Sequence, residues 1–142
     1  MTLSNEYLKH ALSFLKASKV LHVHVNELRP HKIAPVYFNI THTFELLFKA
    51  YLLNKGYTGV DIKKMNIRHD LIALLNSCEE IGFNISFDDK LNIEQLNSYT
   101  KEHEFRYPTV GDKIVPNEDE LLSLAQRIHD ALKVELESLE TA

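Results

Sequence analysis

The sequence predicts an all-α protein, an up-and-down bundle of four main helices plus one short helix. Three observations carry this. Apolar residues recur every three or four positions over most of the chain, as in helices that bury one face. Glycine and proline number only four each, too few to punctuate an array of short strands. The segments between periodic stretches stay mostly under about fifteen residues, which suits neighbouring helices of one bundle. No internal repeat, low-complexity tract or linker divides the chain, so one domain is expected over residues 1–142.

The first helix is expected from residue 6 to about residue 28, with Ser4 as N-cap and Leu8, Leu12, Phe14, Leu15, Leu21, Val25 and Leu28 on its apolar side. Pro30 and Pro35 end it. The run VLHVHV at 20–25 alternates in strand fashion, but a lone strand would have no partner, so the helix is kept. The second helix is expected over 35–55, with Ile40, Phe44, Leu47 and Tyr51 in one stripe, Phe48 and Leu52 widening it, and Gly56 just past its end. The third is expected over 67–81, capped by Asn66 and closed by Gly82, with Ile67, Leu71, Leu74, Leu75 and Cys78 inward.

FNISFDDK is then expected to be an extended connector. Asn92 with Gln95 predicts the start of a shorter helix whose inner face is Ile93, Leu96 and Thr100. Residues 103–116 carry Pro108, Gly111 and Pro116 and read as loop or broken helix. Asn117 with Glu120 opens the last helix, where Leu121, Leu124, Ile128, Leu132 and Leu136, with Ala125 beside them, keep helical spacing towards the C-terminus.

The composition, 44% hydrophobic and 25% charged, is that of a globular domain able to bury a core without staples. A net charge of −4 gives no broad attraction to polyanions, so any nucleic-acid contact requires a local basic patch. Cys78 is the sole cysteine, which excludes an internal disulfide and a thiolate metal cluster within one chain. The opening residues mix charges with apolar side chains, unlike a signal peptide, and no run reaches the ~18 apolar residues of a membrane span. A soluble, cytoplasmic protein without membrane contact is the expectation.

Polar residues in apolar surroundings mark the candidate sites. His42, Glu45 and Lys49 form one stripe on the second helix. Glu45 and Lys49, spaced i, i+4 in the favourable order, are worth about 0.2–0.5 kcal/mol as an exposed pair. A solvated stripe and the edge of a polar cleft are both open readings. The run RHDL places Arg68, His69 and Asp70 at the head of the third helix. There an acid suits the helix terminus and the first-turn amides suit a phosphate. The run EFRYP offers the Arg106 guanidinium to phosphate and the Tyr107 ring to a base; the alternative is that its aromatics plug the end of the bundle.

Other chemistry finds little support in the residues. Di-iron bundles need paired Glu-x-x-His motifs, and neither that motif nor His-Glu-x-x-His occurs, although HVH at 22–24 could hold adventitious metal. Cys78 falls on an apolar stripe and reads as inert core. There is no glycine-rich phosphate loop and no nucleophile elbow. No cofactor, metal or catalytic residue is assigned.

Taken in order, FELLFKAYLLNKGY, RHDLIALLNSCEEIGF and FRYP before a long last helix resemble the HEPN domain (higher eukaryotes and prokaryotes nucleotide-binding) over roughly residues 5–138. Glu45 and Lys49 with Leu52 and Leu53 match the family's Glu-x-x-x-Lys helix. His69, Asp70 and Leu71 match its His-Asp-Leu, and Arg106, Tyr107 and Pro108 its Arg-Tyr-Pro. The resemblance implies an all-α bundle, frequently a homodimer, with polar residues at a cleft near the subunit interface. Many members are metal-independent ribonucleases, including toxins paired with nucleotidyltransferase-like antitoxins, and share an Arg, four to six residues, then His. Here Arg106 is followed at those distances by Gly111, Asp112 and Lys113, so the acid and base of such a cleavage are missing.

The resulting expectation is a non-catalytic HEPN-like module that binds a nucleotide or RNA through His42, Glu45, Lys49, Arg68, His69, Asp70, Arg106 and Tyr107. A homodimer and a nucleotidyltransferase-like partner protein, in a toxin–antitoxin, defence or stress system, accompany that resemblance. The alternatives are a divergent ribonuclease using His69 or His103, and a pure protein–protein interaction partner.

Overall fold

The computed structural model describes residues 2–24, 33–65, 70–103 and 117–141, with side chains for all of these except 33, 34, 101–103 and 139–141. Six helices are present among them, and no strand: α1 (Leu3–Val23), α2 (Ile33–Asn54), α3 (Gly59–Lys64), α4 (Leu71–Glu80), α5 (Phe87–His103) and α6 (Glu118–Thr141).

Caps explain where most of them begin and end. Thr2, not Ser4, caps α1 by accepting from the Asn5 N–H, while the buried Ser4 hydroxyl donates to the carbonyl of Ala50 at 2.8 Å. Thr58 and Asp61 form a capping box that nucleates α3, a helix the apolar period does not announce. Asp70 caps α4 through the Ala73 N–H, so that helix starts after the expected position; Asn66 and Ile67 lie outside the described residues. The Ser86 hydroxyl accepts from the Asp89 N–H at the head of α5, six residues ahead of Asn92, which is an interior residue bonded to Glu120. The α5 helix is therefore long rather than short, and the expected FNISFDDK connector supplies its first turn. Asn117 accepts from the Glu120 N–H, as expected, at the start of α6.

Gly56 and Gly82 close α2 and α4 as the sequence predicts. Both have φ near +110°. Each ending carries the two Schellman bonds, Tyr57 N–H to the Leu52 carbonyl with Gly56 N–H to that of Leu53, and Phe83 N–H to the Cys78 carbonyl with Gly82 N–H to that of Glu79.

Helix α2 is the hub, packing against α1, α4, α5 and α6. Its buried residues, from Val36 and Tyr37 through Phe44 and Phe48 to Leu52, cover more than half of its circumference, as a helix with neighbours on several sides requires, and Phe38, His42, Leu46 and Lys49 lie on the remaining face. The expected core stripes of α2, α4 and α6 are buried, as are Leu8 and Leu15 of α1.

Residue pairing gives the directions. Ser4 meets Ala50 and Phe14 meets His42, so α1 runs against α2. Thr41 meets Thr100 and Leu71 meets Asn97, while Lys90 meets Glu79, so α5 runs against both α2 and α4. Helices α2 and α4 are therefore parallel, and the strict up-and-down order is broken there, across the connection that contains α3.

Candidate functional site

Helix α2 carries polar side chains among its buried positions. Glu45 is 4% exposed, and Thr41 and Thr43 are buried too. Thr43 satisfies itself by donating to the Asn39 carbonyl one turn back, at 2.8 Å. Glu45 receives His42, whose Nδ1 stands 3.4 Å from its carboxylate, and the His42 ring packs edge-on against Phe14 of α1 with centroids 4.3 Å apart. Of the two open readings of this stripe, the burial of Glu45 with His42 beside it goes against a fully solvated salt bridge. Lys49 is half-buried on the next turn.

The polarity continues from α2 into α5 and α4. Thr100 donates to the Leu96 carbonyl at 2.8 Å, which uses its only proton, so Thr41 is the donor in the 3.2 Å contact between the two hydroxyls. One turn along α5, Asn97 is buried. Its Oδ1 accepts from the Leu71 N–H at 2.9 Å and its amide donates to Asp70 at 3.4 Å. A seam of polar groups therefore crosses three helices: Asp70 and Asn97, then Thr100 and Thr41, then Glu45 and His42, the last two contacts linked along α2 by i, i+4 spacing.

Of the sequence-predicted site residues, the structure brings His42 and Glu45 together, sets Lys49 one turn on, and puts Asp70 at the far end of the seam. Arg68, His69, Arg106 and Tyr107 lie outside the described residues. Sequence reasoning missed Thr41 and Asn97 as members. A polar residue beside a core position, as Asn97 stands beside Leu96, was the available signal.

The arrangement favours recognition by hydrogen bonds. Taking a carboxylate from water costs several kcal/mol unless partners offset it, so Glu45 is an expensive group held beside other polar side chains. Its oxygens accept N–H and O–H groups, the donors found on a base, a ribose or a guanidinium. Cys78 is no nucleophile in this fold: it is buried, which pushes its thiol up to about 12, and its Sγ points at the Phe48 carbonyl, 3.5 Å away. No group of three or more metal-ligating side chains is assembled among the described residues, and no helix among them is long and apolar enough to cross a membrane.

A cleft of about 540 Å³ opens between the end of α2, the α4–α5 connection and α6, and no seam residue lines it. Its cations are already engaged, Lys55 with Glu135 at 2.6 Å and Arg127 with Asp89 at 3.2 Å, so it offers no spare positive charge. No family model, curated protein or solved structure matches the chain.

Proposed function

We propose that this chain is a non-catalytic, HEPN-like binding module for a nucleotide or RNA, acting as a homodimer. The observation that supports the reading is the burial of Glu45 on the central helix, beside His42 and in line with Thr41, Thr100, Asn97 and Asp70. In this reading Glu45 and the seam take base and sugar donors, and Lys49 meets phosphate. Arg68, His69, Arg106 and Tyr107 remain assignments from sequence. Asp70 directly follows His69 in the chain, and α5 carries Thr100 upstream of Arg106. The missing Arg-x4–6-His motif argues against cleavage.

Calorimetry and thermal unfolding with ATP, GTP and short RNA at low salt test the reading. A ligand at a hundred times its Kd stabilises the folded state by about 2.7 kcal/mol, a readily measured rise in melting temperature. Absence of heat and of any melting shift with every one of these ligands would reject it.

A further inference from the structure

The last turn of α1 and the first turn of α6 meet through one histidine. His22 has both ring nitrogens on carboxylates: Nδ1 contacts Glu118, and Nε2 lies 2.8 Å from Asp119. A carboxylate only accepts, so each contact is a hydrogen bond only if the ring nitrogen carries a proton. Neutral imidazole has one N–H, and it leaves the other nitrogen's lone pair facing an anion. Two contacts of this kind therefore require the imidazolium. Helix dipoles favour the same state, with a cation at the C-terminus of α1 and acids at the N-terminus of α6.

We infer that His22, Glu118 and Asp119 form a proton-dependent clasp that ties α1 to α6 when the ring carries two protons and loosens when it carries one. The two arms are unequal. The Glu118 side chain is 17% exposed and that of Asp119 82%, so solvent screens the Asp119 arm and Glu118 does most of the holding. Burial alone would lower the His22 pKa, but the bonds to both acids and their charge outweigh it, and the net shift is upward from 6.5. Tyr37 of α2 faces Glu118, but burial pushes its phenol far above neutral pH, and Lys19 of α1 is bonded to Gln126.

The sign follows. A histidine whose folded pKa is raised contributes stability that is complete below 6.5 and is lost as pH rises through the folded value. The clasp thus loosens on alkalinisation from about pH 6.5 upward. It stands next to the polar seam: Tyr37 packs its ring on Tyr99, centroids 5.1 Å apart, beside the Thr41–Thr100 contact.

Two measurements on the full chain test this. The first follows the His22 ring by proton NMR against pH; an apparent pKa above 6.5 is expected, and titration at or below 6.5 overturns the clasp. The second compares melting temperature from pH 6 to pH 9 for wild type, His22→Gln and the exposed control His10→Gln. Wild type and the control are expected to lose on the order of 3 °C more than His22→Gln over that range. Superimposable profiles for wild type and His22→Gln overturn the proposal. Should His22→Gln fail to fold, the NMR titration of wild type still decides.

Discussion

Nδ1 of His42 lies 3.4 Å from the Glu45 carboxylate, and Glu45 is almost wholly buried on the helix that α1, α4, α5 and α6 all touch. That relationship separates two otherwise similar substitutions. Glu45→Gln keeps the shape and an oxygen that still accepts from His42, so the loss is expected to stay below about 2 kcal/mol. Glu45→Lys buries an unpaired cation and is expected to lose more than about 3 kcal/mol. Urea unfolding measures both; a Glu45→Lys variant as stable as wild type would put Glu45 on a solvated surface.

Asn97→Ala removes the acceptor of the Leu71 N–H, a buried donor with a 2.9 Å bond at the head of α4. An orphaned buried amide costs about 1–3 kcal/mol. The same change at Asn92, whose bond to Glu120 is exposed, is expected to stay within about 0.5 kcal/mol. Equal effects from the two changes in urea unfolding would contradict the account of the seam.

Gly56→Ala isolates backbone strain from crowding. A Cβ at Gly56 meets nothing within 4 Å, and φ is +112°, so the cost comes from the left-handed conformation alone, roughly 1–2 kcal/mol. A neutral result by thermal or chemical unfolding would show that α2 can end without the Schellman bonds.

Cys78 is expected to resist thiol reagents while the protein is folded. With its thiol pushed up to about 12, the thiolate is roughly one part in ten thousand at pH 8, and the side chain is also out of reach. Labelling should appear only as denaturant unfolds the chain, at the rate of global opening. Fast labelling of the native protein would place Cys78 at the surface.

Much of this fold is legible in the sequence because its signals are local. The Ile40–Phe44–Leu47–Tyr51 stripe, the Leu121–Leu136 series and the glycines at 56 and 82 are each fixed by spacing and backbone chemistry within a turn or two. What escapes is set by partners distant in the chain. Ser4 reads as a cap until Ala50, 46 residues away, takes its hydroxyl. His22 reads as part of an HVH run fit for adventitious metal until Glu118 and Asp119 arrive from α6. Helix α3 rests on one capping box, Thr58 with Asp61, in a stretch without apolar period. The polar stripe of α2 stays ambiguous in the sequence because a local pattern cannot say whether charge meets water or a neighbour, and only the packed helices bury Glu45.

If the proposed binding function holds, the polar groups of α2, α5 and the head of α4 form one ligand seat around Glu45. Backbone amide NMR during titration with GTP, ATP or a short RNA tests it most directly. Shifts are expected to concentrate at Thr41, Glu45, Asp70, Asn97 and Thr100 in wild type and to be lost in Glu45→Gln. Shifts clustered instead around the Tyr51–Phe83–Arg127 cleft, or none with any ligand, would contradict it.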